Sequence, residues 1–277
     1  GLLIAAGCRR TPPAADTGPL RVAATTSILG DVVAAVGGPD IRLQTLLKPS
    51  QDPHAFHPAP VDLAALSHCA LLFVNGFGLE SFLDQLPPGP KVVNASRTIQ
   101  PRHLAADSPH HHEPGDPDCA GNADPHVWFD PMLVAKWTDT IRDALAARDP
   151  AHAAAYATRA AAYTVQLNAL DVWIREQTAA LPPRRRTLVS DHAVLGYFAD
   201  RYGFTLGGAL MPAFSSAAEP SARDLAALVD AIRAAGVPAL LVGRTASPAL
   251  AKRIADETGI RVATFDDGAL GAPGSPT

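Results

Sequence analysis

AHAAAYATRAAAYTVQLNALDVWIREQTAA, residues 151–180, contains neither glycine nor proline, is rich in alanine, and repeats Tyr156, Tyr163, Leu167, Leu170 and Ile174 at the spacing of one helix face. The stretch predicts one unbroken helix. At 1.5 Å per residue it reaches about 45 Å, enough to run beside two domains as a stiff spine.

Outward from this helix the chain alternates between strand and helix. Upstream, Leu20 to Thr26 reads as a strand, Ile28 to Val36 as a helix stopped by Gly37-Gly38, and Ile41 to Leu47 as a strand running into a loop over 49–60. A short helix opened by Asp62, the apolar strand Ala70 to Val74, an Asn75-Gly76 turn and a helix over Glu80 to Gln85 follow. Downstream come strand Thr187 to Ser190, helix Ala193 to Tyr202, a short strand near Leu206 and helix Ala222 to Ala235. Strand Ala239 to Val242, helix Pro248 to Thr258 and strand Arg261 to Phe265 complete the set. Near-continuous apolar strands alternating with helices predict parallel sheets covered on both faces. The expected fold class is α/β, two parallel-sheet lobes joined by a single long spine helix. The expected divisions are a leader remnant and tether over 1–19, a first lobe over 20–150, the linking helix over 151–181 and a second lobe over 182–277.

The 277 residues carry 23 Lys+Arg against 27 Asp+Glu, a net charge of -4, and are 47% hydrophobic. That composition supports a sizeable core and argues against a nucleic-acid partner, which needs positive charge along a phosphate track. No apolar stretch reaches the roughly 18 residues of a membrane span. Membrane association is expected instead from GLLIAAGC at 1–8, where Ala5, Ala6 and Gly7 ahead of Cys8 resemble a bacterial lipobox. On that reading Cys8 is acylated and the preceding residues are removed. Arg9 to Gly18, with Pro12 and Pro13, suits a flexible tether. Cys69, in an apolar strand, and Cys119, in a loop, are expected to stay unpaired.

The histidines carry the chemistry. Asp52-Pro53-His54 and Asp124-Pro125-His126 repeat one tripeptide. In each, proline fixes its own φ and holds the preceding residue extended, so the imidazole is presented with little freedom to lose on binding. The aspartate two residues earlier is placed to accept from the ring nitrogen that does not ligate. His192 follows a strand and precedes a helix, and Asp266 and Asp267 follow the last strand, which is where doubly wound sheets put ligand-binding groups. Three histidines and one carboxylate at strand ends of two facing lobes would form a tetrahedral four-donor site suited to Zn²⁺.

A second cluster, His110-His111-His112, lies in the Pro/Gly/Asp-rich loop over 107–123 with His103 close by, and is expected to capture zinc weakly as an auxiliary. His57 is assigned to a rim position, and His68 and His152 to helix surfaces.

These residues resemble the substrate-binding lipoproteins of bacterial zinc and manganese ABC transporters, the group that includes the high-affinity zinc-uptake binding protein. The resemblance runs from Leu20 to the end. It rests on VAATTSILGD (22–31), QDPHAFHPAPVD (51–62), VNGFGLE (74–80), DPHVWFDP (124–131), SDHAVLGYFADRYG (190–203), EPSARD (219–224) and the closing DDGALGAPG. It implies a periplasmic-binding-protein-like pair of lobes around a buried metal, with ligands His54, His126, His192 and an aspartate of the closing segment, Asp267 or, after a one-residue shift, Asp266. Manganese-selective relatives have a Glu where His192 stands. A third imidazole therefore favours Zn²⁺, with Mn²⁺ the alternative cargo. Gly243-Arg244 stand where many relatives have a strand-end Glu, and His57 where they often have Glu. Relatives continue past the position of Thr277 into a further helix, so the end is expected to be truncated.

The implied function is capture of periplasmic Zn²⁺ by a lipid-anchored monomer and delivery to an ABC transporter permease, a periplasmic zinc metallochaperone being a further partner. Four protein ligands leave no open position for an activated water, so the site reads as a binder. The rival from another class is a zinc-dependent hydrolase with three histidines and a water. Neither a nucleophile elbow nor an HExxH string occurs to support it.

Overall fold

The computed structural model describes residues 18–48, 51–86, 88–103, 123–211, 222–244 and 248–270. Cys8, His110, His111, His112 and Cys119, and the expectations attached to them, lie outside the described residues, as does the end of the chain from 271.

In the first lobe β1 (Leu20–Ala24), β2 (Ile41–Thr45), β3 (Leu71–Val74) and β4 (Lys91–Asn94) form a parallel sheet in the order β2-β1-β3-β4. Alternate residues of β3 enter different cores. Leu71 and Phe73 pack with buried residues of α1 (Ser27–Gly37), whereas Leu72 and Val74 pack with Leu46, Phe82 and, from α2 (Pro60–Leu66), Leu66. A strand apolar at every position is what a period of two produces when both faces are covered. The first core extends into α3 (Pro131–Arg148) and α4 (Ala153–Ala179), where Trp137 and Tyr156 are fully buried. The Trp137 indole N–H donates to Ser96 Oγ at 2.8 Å.

The second lobe repeats the plan. β5 (Thr187–His192), α5 (Gly196–Tyr202), β6 (Thr205–Met211), α6 (Ala222–Ala235), β7 (Ala239–Gly243), α7 (Pro248–Thr258) and β8 (Arg261–Phe265) build a parallel sheet in the order β6-β5-β7-β8. In both sheets the chain moves from its first strand to one neighbour and then crosses to the other side. The switch points, β1/β3 and β5/β7, open crevices at the carboxyl ends of the strands.

The spine helix α4 has 27 residues, about 40 Å of axis. Its first half packs into the first lobe through Tyr156, Ala160 and Leu167. Farther along, Asp171 accepts from Arg201 Nε at 2.6 Å, from the Tyr202 hydroxyl at 2.9 Å and from Arg175 Nε at 3.1 Å. Arg201 Nε also lies 3.1 Å from Asp130, the N-cap of α3, so one guanidinium ties the spine to both lobes.

Four details depart from the sequence reading. Glu80 to Gln85 is not a helix but ends in a single 3₁₀ turn, Leu83–Gln85. The Glu80 carboxylate is engaged by backbone N–H groups upstream, so it does not open a helix. β5 runs on to His192, paired opposite Met211, and the helix behind it starts only at Gly196. β4 and α3 were not anticipated, although Asp130-Pro131 is a helix start: Asp130 caps Met132 N at 2.8 Å, with proline in the first turn. Leu170, expected on the packed face of the spine, is 44% exposed.

Candidate metal centre

His54 sits in the loop after β2. The Asp52 carboxylate accepts its backbone N–H at 2.9 Å and not, as expected, a ring N–H. At His126 the expected pattern is complete. Asp124 Oδ1 accepts both the backbone N–H at 3.0 Å and Nδ1 at 2.9 Å, which turns Nε2 toward His54 Nε2, 3.1 Å away. Two nitrogens bound to one tetrahedral Zn²⁺ sit about 3.3 Å apart, so little movement separates this pair from a coordinating one.

The Asp124-Pro125-His126 loop is held from several sides. Asn75 Nδ2 donates to the Pro125 carbonyl at 3.0 Å and the Tyr197 hydroxyl to the Asp124 carbonyl at 2.9 Å. Arg102 Nη1 lies 3.4 Å from Asp124 Oδ2. A Cβ on Gly196 would fall 1.8 Å from that guanidinium nitrogen, so α5 must begin with glycine for Arg102 to reach the loop.

His192 closes the group at the end of β5, 2% exposed. Its ring lies 5.3 Å from that of His126 and 6.0 Å from that of His54, and one nitrogen from each of the three lies within 4.8 Å of the others. Asp267, 3% exposed, brings a carboxylate oxygen within the same distance of His192 and Asp191. Asp266 points elsewhere, paired with Arg244 Nε at 2.6 Å. Of the two aspartates left open by the sequence, Asp267 is the one whose carboxylate lies beside His192. The missing side chain at Gly243 now has a reason: a Cβ there would stand 1.8 Å from Asp267 Oδ2.

His57, His68 and His103 are exposed, and His152 pairs on the surface with Asp149 at 2.7 Å. Asp191 and Glu80 escaped the site reading. Asp191 stood in plain view beside His192, whereas Glu80 acts on the site through residues remote in sequence.

The two lobes meet across this cluster. Trp128 Nε1 donates to the Asp267 carbonyl at 2.8 Å, Leu270 N to Ser27 Oγ at 3.0 Å, and a Cβ on Gly268 would lie 2.8 Å from Pro53 Cδ. A cleft of about 610 Å³ lined by Trp128, Phe129, Tyr163, Leu170 and Phe265 opens elsewhere on the seam, and none of the three histidines lines it.

Burial brings the His54 imidazole down to about 4 and, aided by repulsion from His192 and His54, holds His126 well below its usual value. Both are therefore neutral donors. Burial also works against a charged His192, but Asp191 beside it, with Asp267 and Asp52 farther off, prevails and lifts it above its usual value. Burial pushes Asp124 up to about 7 against the opposing His126 backbone N–H and Arg102. Two neutral imidazoles, with His192 and the carboxylates of Asp191 and Asp267 beside them in a buried seam, are suited to hold a cation that displaces the His192 proton. Among the described residues no helix is long and apolar enough to cross a membrane.

The family model for ZnuA, the periplasmic component A of a zinc-uptake complex, matches residues 22–277. A manganese-binding lipoprotein, MntA of Halalkalibacterium halodurans, is 31% identical over 280 residues, 99% of this chain and 88% of the relative. The zinc-binding protein TroA of Treponema pallidum is 31% identical over 234 residues, 83% of this chain and 71% of its own. The solved structure of periplasmic TroA superposes with a TM-score of 0.81 at 27% identity, covering 93% of this chain and 92% of that one. A manganese-bound periplasmic metal-binding protein of Candidatus Liberibacter asiaticus shares the fold, with a TM-score of 0.78 at 21% identity over 93% and 92% of the two chains. Proteins of this kind are solute-binding components of transporters and not enzymes. The chain belongs to the ZnuA family of periplasmic metal-binding proteins, the substrate-binding components of ABC transporters.

Proposed function

We propose that the protein captures Zn²⁺ in the periplasm through His54, His126, His192 and Asp267, and delivers it to a cognate ABC permease as a monomer tethered by a lipid on Cys8. The observation that carries this reading is the meeting, within 4.8 Å, of three buried or half-buried imidazoles from two lobes. Imidazole donors suit Zn²⁺ better than Mn²⁺, which prefers oxygen. Elemental analysis of the purified protein, followed by a competition titration of Zn²⁺ against Mn²⁺, tests it. Zinc should be retained and should displace manganese; preferential retention of Mn²⁺ would overturn the zinc assignment.

The titration behaviour yields a second test. A group whose metal-free pKa is raised must release its proton before ligating, whereas one already neutral need not. His192 and Asp124 are raised, His54 stays neutral until about pH 4, and burial with repulsion from His192 and His54 holds His126 well below its usual value. Zn²⁺ affinity should therefore weaken as pH falls, with one to two protons displaced per ion between about pH 6.5 and pH 5. Three protons displaced over that range would mean that the histidines are ordinary solvated imidazoles.

The loop around His110, His111 and His112 is assigned a capture role ahead of the tight site, fed by free ion or by a zinc metallochaperone. Deleting 108–119 should slow loading or lower total zinc stoichiometry while the tight site keeps its affinity. Loss of tight binding would relocate the site.

A further inference from the structure

Asp191 is 2% exposed, yet neither of its carboxylate oxygens accepts a hydrogen bond among the described residues. Asp124 is the contrast. It is equally buried but takes two N–H groups of His126 and faces Arg102. Asp191 Oδ2 lies 3.3 Å from His192 Nδ1 as an ion pair that does not meet the geometry of a hydrogen bond. Asp191 thus faces His192 as a charged neighbour and lacks the short, aligned bond by which Asp124 orients His126. One of its oxygens does lie within 4.8 Å of a ring nitrogen of His192 and of a carboxylate oxygen of Asp267. In the metal-free seam the raised His192 offsets the Asp191 charge, but once His192 gives up its proton to ligate, a buried carboxylate without an aligned donor is strongly disfavoured, and the metal cation is the partner that compensates it.

We infer that Asp191 is a second carboxylate donor of the metal centre, binding the ion beside Asp267, and that it extends the range of the site to Mn²⁺. This rests on the metal-capture reading above and refines it. Zn²⁺ is satisfied by four tetrahedral donors, so three imidazoles and Asp267 suffice for it. Mn²⁺ favours oxygen ligands and higher coordination numbers, and gains from a fifth, anionic donor. Asp191 immediately before His192 supplies the hard oxygen that a three-histidine set otherwise lacks.

The test uses the full chain stripped of metal with a chelator. Asp191→Asn keeps the shape of the side chain and removes its charge. The ratio of Mn²⁺ to Zn²⁺ affinity should fall at least about tenfold, the scale on which one group of a metal site matters. In the Co²⁺-substituted protein the visible d–d band should intensify as a five-coordinate ion becomes tetrahedral. Zn²⁺ binding by the same variant reports that it has folded. An unchanged ratio and an unchanged Co²⁺ spectrum would overturn the inference, as would parallel weakening of both metals, which would make Asp191 a support for His192 only. Failure of the wild-type chain to bind either metal would instead bring down the capture reading itself.

Discussion

His126→Ala should weaken Zn²⁺ binding by more than the roughly 10–100-fold that loss of an orienting neighbour costs a metal site, because it removes a donor outright. Every contact around His126 serves one arrangement. Asp124 Oδ1 fixes both its backbone N–H and Nδ1, and the Pro125 and Asp124 carbonyls are pinned by Asn75 and Tyr197. The ring is 1% exposed and already neutral, so neither desolvation nor loss of a proton remains to be met when the ion arrives. The comparison that gives the result meaning is Asp124→Asn. It leaves the imidazole in place but weakens the acceptor that selects its tautomer, and should fall within the about 10–100-fold range. A competition titration against a chromophoric zinc chelator measures both variants, and far-UV circular dichroism of the metal-free forms checks folding. Wild-type affinity in His126→Ala would remove this residue from the coordination shell. Equal losses in the two variants would mean that Asp124 contributes more than orientation.

How much of this site can be read without coordinates depends on the range over which each residue acts. The spine was legible because residues 151–180 lack both helix breakers and repeat their apolar positions at a helical period. The sheets were legible because β3 and β7 are apolar on consecutive positions, as a strand covered on both faces requires. His54, His126 and His192 could be nominated because a local rule, presentation at a loop or strand end, applies to each. The choice between Asp266 and Asp267 could not be made that way. It turns on Arg244 drawing Asp266 outward and on the bare Cα of Gly243 leaving room for Asp267, contacts across 22 and 24 positions of chain. β4 escaped for another reason. Its four residues include the exposed Lys91, Val92 and Asn94, so an edge strand with one buried residue carries almost no hydropathy signal. Asp191 was visible as a letter, but its burial without an aligned donor among the described residues exists only in the folded seam.

Glu80→Ala should lower the stability of the metal-free protein by about 3 kcal/mol, or roughly 6–12 °C in Tm, although residue 80 touches none of the histidines. Its buried carboxylate accepts from the Thr25 hydroxyl at 2.7 Å, from Asn75 N at 2.6 Å and from Gly76 N at 3.1 Å, joining the ends of β1 and β3 at the switch point. Each orphaned buried donor costs about 1–3 kcal/mol, partly offset because the carboxylate no longer has to be desolvated. Asn75 then passes the disturbance on. Its side-chain amide holds the Pro125 carbonyl, so the variant should also bind Zn²⁺ more weakly, by less than His126→Ala does. Glu80→Gln separates charge from geometry. It keeps an acceptor oxygen for Thr25 and Asn75 but turns an amide N–H₂ toward Gly76 N, so it should lose about 1–2 kcal/mol, less than Glu80→Ala. Burial pushes the Glu80 carboxyl above its usual range, against the opposing donors from Thr25, Asn75 and Gly76, so the folded chain holds that proton more tightly than the unfolded one. Its contribution to stability is then full at acid pH and declines as pH rises through the folded value, and the gap between wild type and Glu80→Gln should narrow along the same path. Thermal melts of the three proteins across pH, each with chelator and with Zn²⁺, test the whole chain of contacts. A metal-free Glu80→Ala melting within about 2 °C of wild type would show that Thr25, Asn75 and Gly76 find other partners, and that the position of His126 does not depend on this carboxylate.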